Sequence, residues 1–184
     1  ITLIAWIEFY ALISKIFKKN NLKEKTLRFL CKLSTLMYLF YIVFIILFVT
    51  VDRPNLEIVF IYIILVSVMT DIGGLVVGKT LKGKKLTKIS PNKTISGAIG
   101  SIIFTCITFF SIIFYFSNYL NYKILIIGLI ISIACQLGDL LFSFLKRKAK
   151  IKDTGKLFPG HGGVLDRLDG IFIGIPAGFI SIVL

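Results

Sequence analysis

The fold is decided by ILIIGLIISIACQLGDLLFSFL, residues 124–145, in which Asp139 is the only charged side chain. A helix needs about 20 mostly apolar residues to cross the hydrocarbon core of a bilayer, and this stretch has 22. It lacks the strict alternation of apolar and polar residues that marks the strands of a membrane barrel. The stretch is therefore predicted to be a transmembrane helix.

Five other segments have the same character, so the chain is predicted to contain about six transmembrane helices. They lie at residues 1–17, 33–51, 57–78, 96–116 and 168–184, and the first and last are short. The composition agrees, because 57% of the residues are hydrophobic and only 17% are charged, against about 25% charged in soluble domains. We therefore expect an all-α integral membrane protein.

The 22 Lys and Arg residues are clumped between the apolar segments, although the net charge is +13. Segments 15–32, 79–93 and 146–167 hold 20 of them, whereas segments 52–55 and 117–123 hold two. Such alternation is typical of the positive-inside rule and places the three basic segments in the cytoplasm. A nucleic-acid-binding protein would spread its basic residues over a soluble face, so we expect no nucleic-acid partner.

Glu8 lies in the first apolar segment, and Asp71 and Asp139 lie inside other apolar segments, toward their predicted cytoplasmic ends. A carboxylate in a span costs at least about 2.5–3.5 kcal/mol, so it usually faces a cavity and has a function. A structural ion pair or a hydrogen bond between helices is the alternative. Asp139, Ser143 and Arg147 follow at i, i+4 and i+8, and we expect them on one helix face that runs toward the basic segment.

Two further acids stand in Asp166-Arg167-Leu168-Asp169, spaced i, i+3. Mg²⁺ takes oxygen ligands from one or two carboxylates together with substrate phosphates. Because these acids lie among an excess of Lys and Arg, the pattern indicates a site in which acids hold a metal and bases hold phosphate groups.

The last basic segment also contains Pro159-Gly160-His161-Gly162-Gly163. Glycines allow positive φ and close approach of the backbone to a ligand, and N–H groups in such a turn can cradle phosphate. A flexible turn before the last helix is the alternative. His161 is a poor ligand for Mg²⁺, so we expect it to contact phosphate or to hold the loop. The basic segment 79–96 is either a topology anchor or a binding loop for a nucleoside triphosphate.

These motifs resemble those of the phosphatidate cytidylyltransferase (CDP-diacylglycerol synthase) family, over residues 71–184. The specific part is a signature of 27 residues, from Ser143 to Asp169, in which the spacing of the polar positions holds throughout. The supporting stretches are Asp71 with Gly73 and Gly74, the Ser90-Pro91-Asn92-Lys93-Thr94 segment, and Gln136-Leu137-Gly138-Asp139.

The resemblance implies an enzyme of phospholipid synthesis that converts CTP and phosphatidic acid to CDP-diacylglycerol and pyrophosphate with Mg²⁺. It implies a multi-pass protein of the inner (cytoplasmic) membrane, with the active site at the cytoplasmic ends of its helices. Residues 1–70 would be N-terminal transmembrane helices with a truncated start. Residues 71–184 would be the catalytic region, with basic cytoplasmic loops at 79–95 and 146–167. A second, monovalent cation and a homodimer are left open.

The resemblance also implies a role for each candidate site residue. The expected metal ligands are Asp139, Asp166 and Asp169. The residues expected to contact phosphates of CTP or lipid are Lys93, Lys146, Arg147, Lys152 and Arg167, and we count Lys146, Arg147 and Arg167 as catalytic. The residues expected in a surrounding layer or at a second cation are Asp71 and Asp153. The residues expected to support substrate binding are Ser143, His161, Gly162 and Gly163.

Two other interpretations stay open at this point. A related membrane enzyme that uses CTP would act on an ether lipid or a polyprenol instead of phosphatidic acid. An ion-coupled transporter would line its path with Asp71 and Asp139. The transporter is disfavoured because the chain has no internal repeat and because its polar residues gather on one side of the membrane instead of at the midplane.

Overall fold

The computed structural model of the chain describes residues 2–18, 21–52, 57–87, 89–116, 122–155, 157 and 162–183. These residues form six α-helices, and a π-helical turn, Phe48–Asp52, continues the second of them. The helices are α1 Thr2–Ile16, α2 Leu22–Leu47, α3 Glu57–Leu81, α4 Ile95–Phe116, α5 Tyr122–Lys148 and α6 Leu165–Val183. Within the described residues, strand-like pairing is limited to isolated bridges such as Lys85 with Thr94, so the predicted all-α fold is confirmed.

Helices α2 to α5 are long and apolar enough to cross a membrane. The two outer helices are not among these four, because α1 has only 15 residues and the start of α6 carries Asp166, Arg167 and Asp169. Large apolar side chains such as Phe114 and Ile58 point outward, which suits helices surrounded by lipid. The chain is therefore a multi-pass membrane protein.

The helices extend beyond the predicted spans at their polar ends. Helix α2 begins at Leu22, so the basic segment 15–32, which lies between the first two predicted spans, is helical from residue 22 onward. Hydropathy marks only the hydrocarbon crossing, whereas Lys and Arg stems can lie along an apolar helix surface while their charges reach water. For the same reason the two basic loops shorten to 82–94 and 149–164.

Helices α3 and α4 pack closely through glycines. A Cβ built on Gly97 would lie 2.7 Å from the carbonyl oxygen of Gly74, so no larger residue fits there without a shift. The buried hydroxyl of Ser101 donates to the carbonyl of Thr70 at 2.7 Å. Small residues and such hydrogen bonds are the usual means by which helices associate in membranes. They fix Asp71 on α3 relative to the N-terminus of α4.

Helices α5 and α6 also approach each other through small residues. A Cβ on Gly138 would lie 2.8 Å from the carbonyl oxygen of Asp169, and one on Gly174 would lie 2.5 Å from the Cys135 sulfur. Asp139 directly follows Gly138 in the chain. The close contact therefore brings the carboxylates of Asp139 and Asp169 into the same neighbourhood.

The N-terminal helices belong to the same bundle as the rest of the chain. The Phe9 ring lies 6.4 Å from the Phe142 ring, and the Tyr38 hydroxyl donates to the carbonyl of Phe172. The buried members of this apolar cluster are Ala5, Leu12, Leu39, Ile42, Phe142, Ala149, Val164, Leu165 and Phe172. Packing of α1 and α2 therefore supports α5, α6 and the loop between them.

The glycine contact between α3 and α4 predicts a strong effect of Gly97→Leu. The new side chain would overlap the α3 backbone, and overpacking of this kind costs about 1–3 kcal/mol or more. We expect a clear fall in the thermal midpoint in detergent, measured by the loss of helical circular dichroism. Ser111→Leu is the matched control, because Ser111 lies on the same helix with an exposed side chain. Equal midpoints for the two variants would contradict the packing described here.

Candidate active site

A cavity of about 380 Å³ lies among α3, α4, α5 and α6. It brings together residues that are far apart in the sequence. The charged side chains that line it are Asp71, Lys79, Lys93, Asp139, Asp166 and Asp169. The uncharged polar side chains that line it are Thr70, Asn92, Thr94, Ser101 and Gln136. Lys79 and Asn92 have no individual role predicted from sequence, although both belong to the basic segment 79–96.

Lys93 is placed in the cavity by the loop 82–94. The loop folds back on itself, with the Leu86 N–H donating to the Lys93 carbonyl at 2.7 Å. Thr94 then starts α4 as its N-cap, since its hydroxyl accepts the N–H of Gly97 at 3.1 Å. The ammonium group of Lys93 forms an ion pair with Asp139. The loop thus joins a basic side chain and a helix N-terminus, both of which favour anions.

Three carboxylates in the cavity come from three different helices. Asp139 on α5 lies close enough to Asp71 on α3 and to Asp169 on α6 for their negative charges to repel. Lys146 offsets part of this charge, with its Nζ 3.7 Å from Asp169. The cavity therefore concentrates negative charge that a cation would stabilise.

The donor set fits a divalent cation that is shared with a substrate. In the part of the chain that the structure describes, no three acidic, His or Cys side chains converge closely enough to hold a metal by themselves. Mg²⁺, however, is usually held by one or two carboxylates and completes its shell with water and substrate phosphates. Asp139 and Asp169, with Asp71 beside them, suit this arrangement.

Asp166 is surrounded by hydrogen-bond donors. Its Oδ1 accepts from Lys146 Nζ at 2.8 Å. Its Oδ2 accepts from the N–H groups of Thr154 (2.7 Å) and Gly163 (2.9 Å), and from the Thr154 hydroxyl at 2.9 Å. Burial disfavours the charged form, but these hydrogen bonds outweigh it and lower the pKa of the Asp166 carboxyl below its ordinary value. Asp166 therefore holds the loop 149–164 to the start of α6, and its role as a metal ligand stays a prediction.

Gly162 and Gly163, at the end of the loop 149–164, lie close to Asp166. Gly162 has a φ of 84°, and a Cβ there would lie only 2.6 Å from Oδ2 of Asp166. The Gly163 N–H, expected to cradle phosphate, instead donates to Asp166. His161 and the rest of 158–161 lie outside the described residues, so the expectation for His161 stays a prediction.

Glu8 on α1 is a site-forming residue to which sequence reasoning gave no role. It is only 8% exposed and accepts the N–H groups of Val164 (3.1 Å) and Leu165 (2.8 Å). The Thr154 hydroxyl, 3.1 Å from Glu8, is shared between Glu8 and Asp166 as alternative acceptors of its one proton. A carboxylate at this position also interacts favourably with the dipole of α6. The signal was available, since Glu8 is an acid inside an apolar segment, as Asp71 and Asp139 are.

Among the described residues, eight predicted site residues do not line the cavity. Three of them, Lys146, Gly162 and Gly163, lie beside Asp166, and the other five are Ser143, Arg147, Lys152, Asp153 and Arg167. Arg147 is exposed and lines a separate surface cavity with Pro91 and Phe144. The expected common face of Asp139, Ser143 and Arg147 fails at Arg147 because eight residues of α-helix leave a rotation of about 80°. The substrate contacts proposed for these five residues stay predictions.

Lys146 joins two acids in a poorly exposed setting, and this predicts a large effect of Lys146→Met. The side chains of Lys146 and Asp166 are 13% and 8% exposed. Removing one partner of a buried ion pair typically costs about 3–5 kcal/mol, because it leaves an uncompensated charge. We expect lower thermal stability and faster proteolysis within 149–164. Lys148→Met is the control, because Lys148 lies two residues further along the same helix and is exposed. Unchanged proteolysis would contradict the structural role of Lys146.

Known proteins are similar to this chain over most of its length. All of residues 1–184 match the sequence profile of the cytidylyltransferase family. The phosphatidate cytidylyltransferase of Staphylococcus haemolyticus is 42% identical over 117 residues, which cover 62% of this chain and 45% of that protein. The Rickettsia bellii protein of the same name is 44% identical over 119 residues, or 59% and 51% of the two chains.

A third relative extends the aligned region. The phosphatidate cytidylyltransferase of Rickettsia typhi is 36% identical over 143 residues, which cover 72% of this chain and 61% of the relative. The chain thus spans about half the length of the curated relatives that it matches. Because the family profile covers every residue, the chain belongs to the cytidylyltransferase family.

Proposed function

We propose that the protein containing this chain is a phosphatidate cytidylyltransferase, which transfers CMP from CTP to phosphatidic acid. The products are CDP-diacylglycerol, a precursor of phospholipids, and pyrophosphate. The observation that carries the proposal is the single cavity in which Asp71, Asp139 and Asp169 meet Lys93 beside the N-terminus of α4. The names of the three relatives support the same activity.

The reaction needs two phosphate-bearing substrates to be held in line. A phosphate oxygen of phosphatidic acid attacks the α-phosphorus of CTP, a new P–O bond forms, and the bond to the β-phosphate breaks. The bond breaks with its electron pair going to pyrophosphate, and no covalent intermediate with the protein is required. Catalysis of this kind rests on positioning and on neutralising the phosphate charges.

The basic and the acidic residues of the cavity would have different roles in this reaction. Lys93, Lys79 and the N-terminus of α4 would bind phosphate oxygens of CTP. Asp139 and Asp169, with Asp71, would hold Mg²⁺, which when bound would neutralise negative charge on the phosphates of CTP. When CTP binds, Lys93 would leave Asp139 and pair with a phosphate. The ion pair between Lys93 and Asp139 thus keeps both side chains in position before the substrates enter.

The position of the cavity suits one water-soluble and one lipid substrate. It lies toward the polar ends of α3 and α5, and its lining includes Leu86, Asn92 and Lys93 of the basic loop 82–94 and Asp166 and Asp169 just after the loop 149–164. By the positive-inside rule these loops face the cytoplasm, which is the source of CTP. We therefore place the site on the cytoplasmic side of the bacterial inner membrane, with the lipid entering from the bilayer.

The proposal is tested with the purified full-length protein in detergent, dioleoyl phosphatidic acid, CTP and Mg²⁺. We expect CDP-diacylglycerol and pyrophosphate in equal amounts by mass spectrometry and a coupled pyrophosphate assay. Product should fail to form with EDTA, and substitution of a polyprenol or an archaeal-type ether lipid should give much less. Efficient turnover of polyprenol but not of phosphatidic acid would overturn the proposed acceptor.

A further inference from the structure

A second cavity, of about 330 Å³, lies between α1 and α2, apart from the cavity described above. Its basic side chains are Lys25, Arg28 and Lys32, which follow at i, i+3 and i+7 and so share one face of α2. Its other lining residues are Trp6, Tyr10, Phe29, Leu33 and Leu36. Three cations on one wall of a cavity predict an anionic ligand.

The indole of Trp6 supplies a second, independent indication of a ligand. Its Nε1 is buried and has no hydrogen-bond partner among the residues that the structure describes. An indole N–H can only donate, and a buried donor without an acceptor is costly. A phosphate oxygen in the cavity would satisfy it. Trp6 and the basic side chains therefore both indicate an anionic ligand that accepts hydrogen bonds.

Arg28 donates a hydrogen bond to the carbonyl of Phe17, and Lys25 and Lys32 are the two basic side chains that would contact the ligand. The ammonium of Lys32 lies 3.2 Å from the centre of the Tyr10 ring, a cation–π contact that orients the side chain and leaves its charge uncompensated. Among the described residues, neither Lys25 nor Lys32 forms an ion pair with an acidic side chain. These two lysines therefore give the cavity a positive charge that an anionic ligand would balance.

The order of residues along α2 distinguishes a lipid from a free phosphate. The basic residues stand in the polar part of α2, and Leu33 and Leu36 follow where the helix enters its apolar run. A lipid headgroup next to the bases would therefore have its acyl chains beside the leucines. The second cavity also lies at the same depth in the membrane as the start of α6. Its residue Tyr10 is two positions from Glu8, which accepts the N–H of Leu165 at that helix start.

We propose that the cavity between α1 and α2 binds the phosphate headgroup of an anionic glycerophospholipid, at a site separate from the catalytic cavity. The site goes beyond the proposed function, since it requires neither CTP nor any residue of the reaction. Basic groups near the membrane surface each add to the attraction for anionic lipid, and an interfacial tryptophan is well suited to the headgroup region.

The test uses Trp6 as a reporter, because it is the only tryptophan in the sequence. The full-length protein, with any further tryptophan replaced by phenylalanine, is titrated in neutral detergent with dioctanoyl phosphatidylglycerol. We expect a saturable change in the emission of Trp6. Dioctanoyl phosphatidylcholine and inorganic phosphate at equal concentrations should each give little change.

The variants separate a built site from general surface charge. The double variant Lys25→Gln and Lys32→Gln should weaken the apparent affinity by roughly ten- to thirtyfold, as expected from the loss of two surface charges. Lys23→Gln, an exposed lysine of the same helix outside the cavity, should leave it unchanged, and Lys32→Arg should retain most of it. Helical circular dichroism verifies that each variant is folded.

Three results would overturn the proposal. An equal response to phosphatidylcholine would show a nonspecific detergent effect. An equal response to inorganic phosphate would show a free-anion site. Equal affinities for Lys23→Gln and for the double variant would show attraction by overall charge alone. None of these depends on CTP turnover, so failure here is distinguishable from failure of the proposed enzymatic function.

Discussion

Asp139→Asn is expected to lower the rate of CDP-diacylglycerol formation by at least about a hundredfold, the scale of losing one electrostatic contact to a transition state. Asp139 lines the same cavity as Asp71 and Asp169 and forms the ion pair with Lys93. The amide keeps the shape of the side chain but removes a charge that a cation and Lys93 both require. The measurement is initial rate against Mg²⁺ concentration with the purified full-length protein.

Two comparisons make the Asp139 result specific. Glu57→Gln also converts a carboxylate to an amide, but at the start of α3, far along that helix from Asp71. Its rate should stay near that of the wild type. Thermal stability should change little in Asp139→Asn, because the substitution also removes repulsion between carboxylates. Asp166→Asn, by contrast, should lower both rate and stability, since Asp166 accepts four hydrogen bonds. A near wild-type rate for Asp139→Asn would remove Asp139 from the site.

Glu8→Ala is expected to reduce activity by at least about tenfold, although Glu8 does not line the catalytic cavity. The substitution leaves the N–H groups of Val164 and Leu165 without their acceptor. Each unsatisfied buried group costs about 1–3 kcal/mol, so the loop 149–164 should open and Asp166 should lose its fixed position. The measurement combines initial rates with limited proteolysis of the loop.

The control for Glu8 is Glu57→Ala, which removes an exposed carboxylate at the start of α3 and should change neither readout. Glu8→Gln should lie between wild type and alanine, because its amide oxygen can accept but its NH₂ group faces donors. A Glu8→Ala variant with normal activity and a protected loop would show that the contact between α1 and α6 is dispensable.

Much of the fold follows from sequence because long apolar runs in a membrane leave few alternatives to helices. The run 124–145 lies inside α5, and the run 57–78 lies inside α3. Helix ends were less predictable. Residues 22–32 are rich in lysine, yet they are helical, because hydropathy reports contact with hydrocarbon and not backbone conformation.

The site was predictable where acids lie inside apolar segments or in the recognised motifs. Asp71, Asp139 and Asp169 do line one cavity with Lys93. The neighbours of Asp166 were not predictable, because they depend on how α1 packs against the loop 149–164. Glu8 is separated from Leu165 by 157 positions, and no spacing rule within a helix links residues so far apart. Arg147 lies outside this cavity because a repeated i+4 spacing drifts around the helix.

The most direct test of the central claim is to identify which phosphate of CTP enters the lipid. The full-length protein is incubated with phosphatidic acid, Mg²⁺ and either α-labelled or γ-labelled CTP, with Asp139→Asn in parallel. The proposed function predicts that the α-label enters the chloroform-soluble lipid and the γ-label leaves as pyrophosphate, with neither transfer in the variant. Entry of the γ-label into lipid, or no lipid label from a folded wild-type protein, would contradict it.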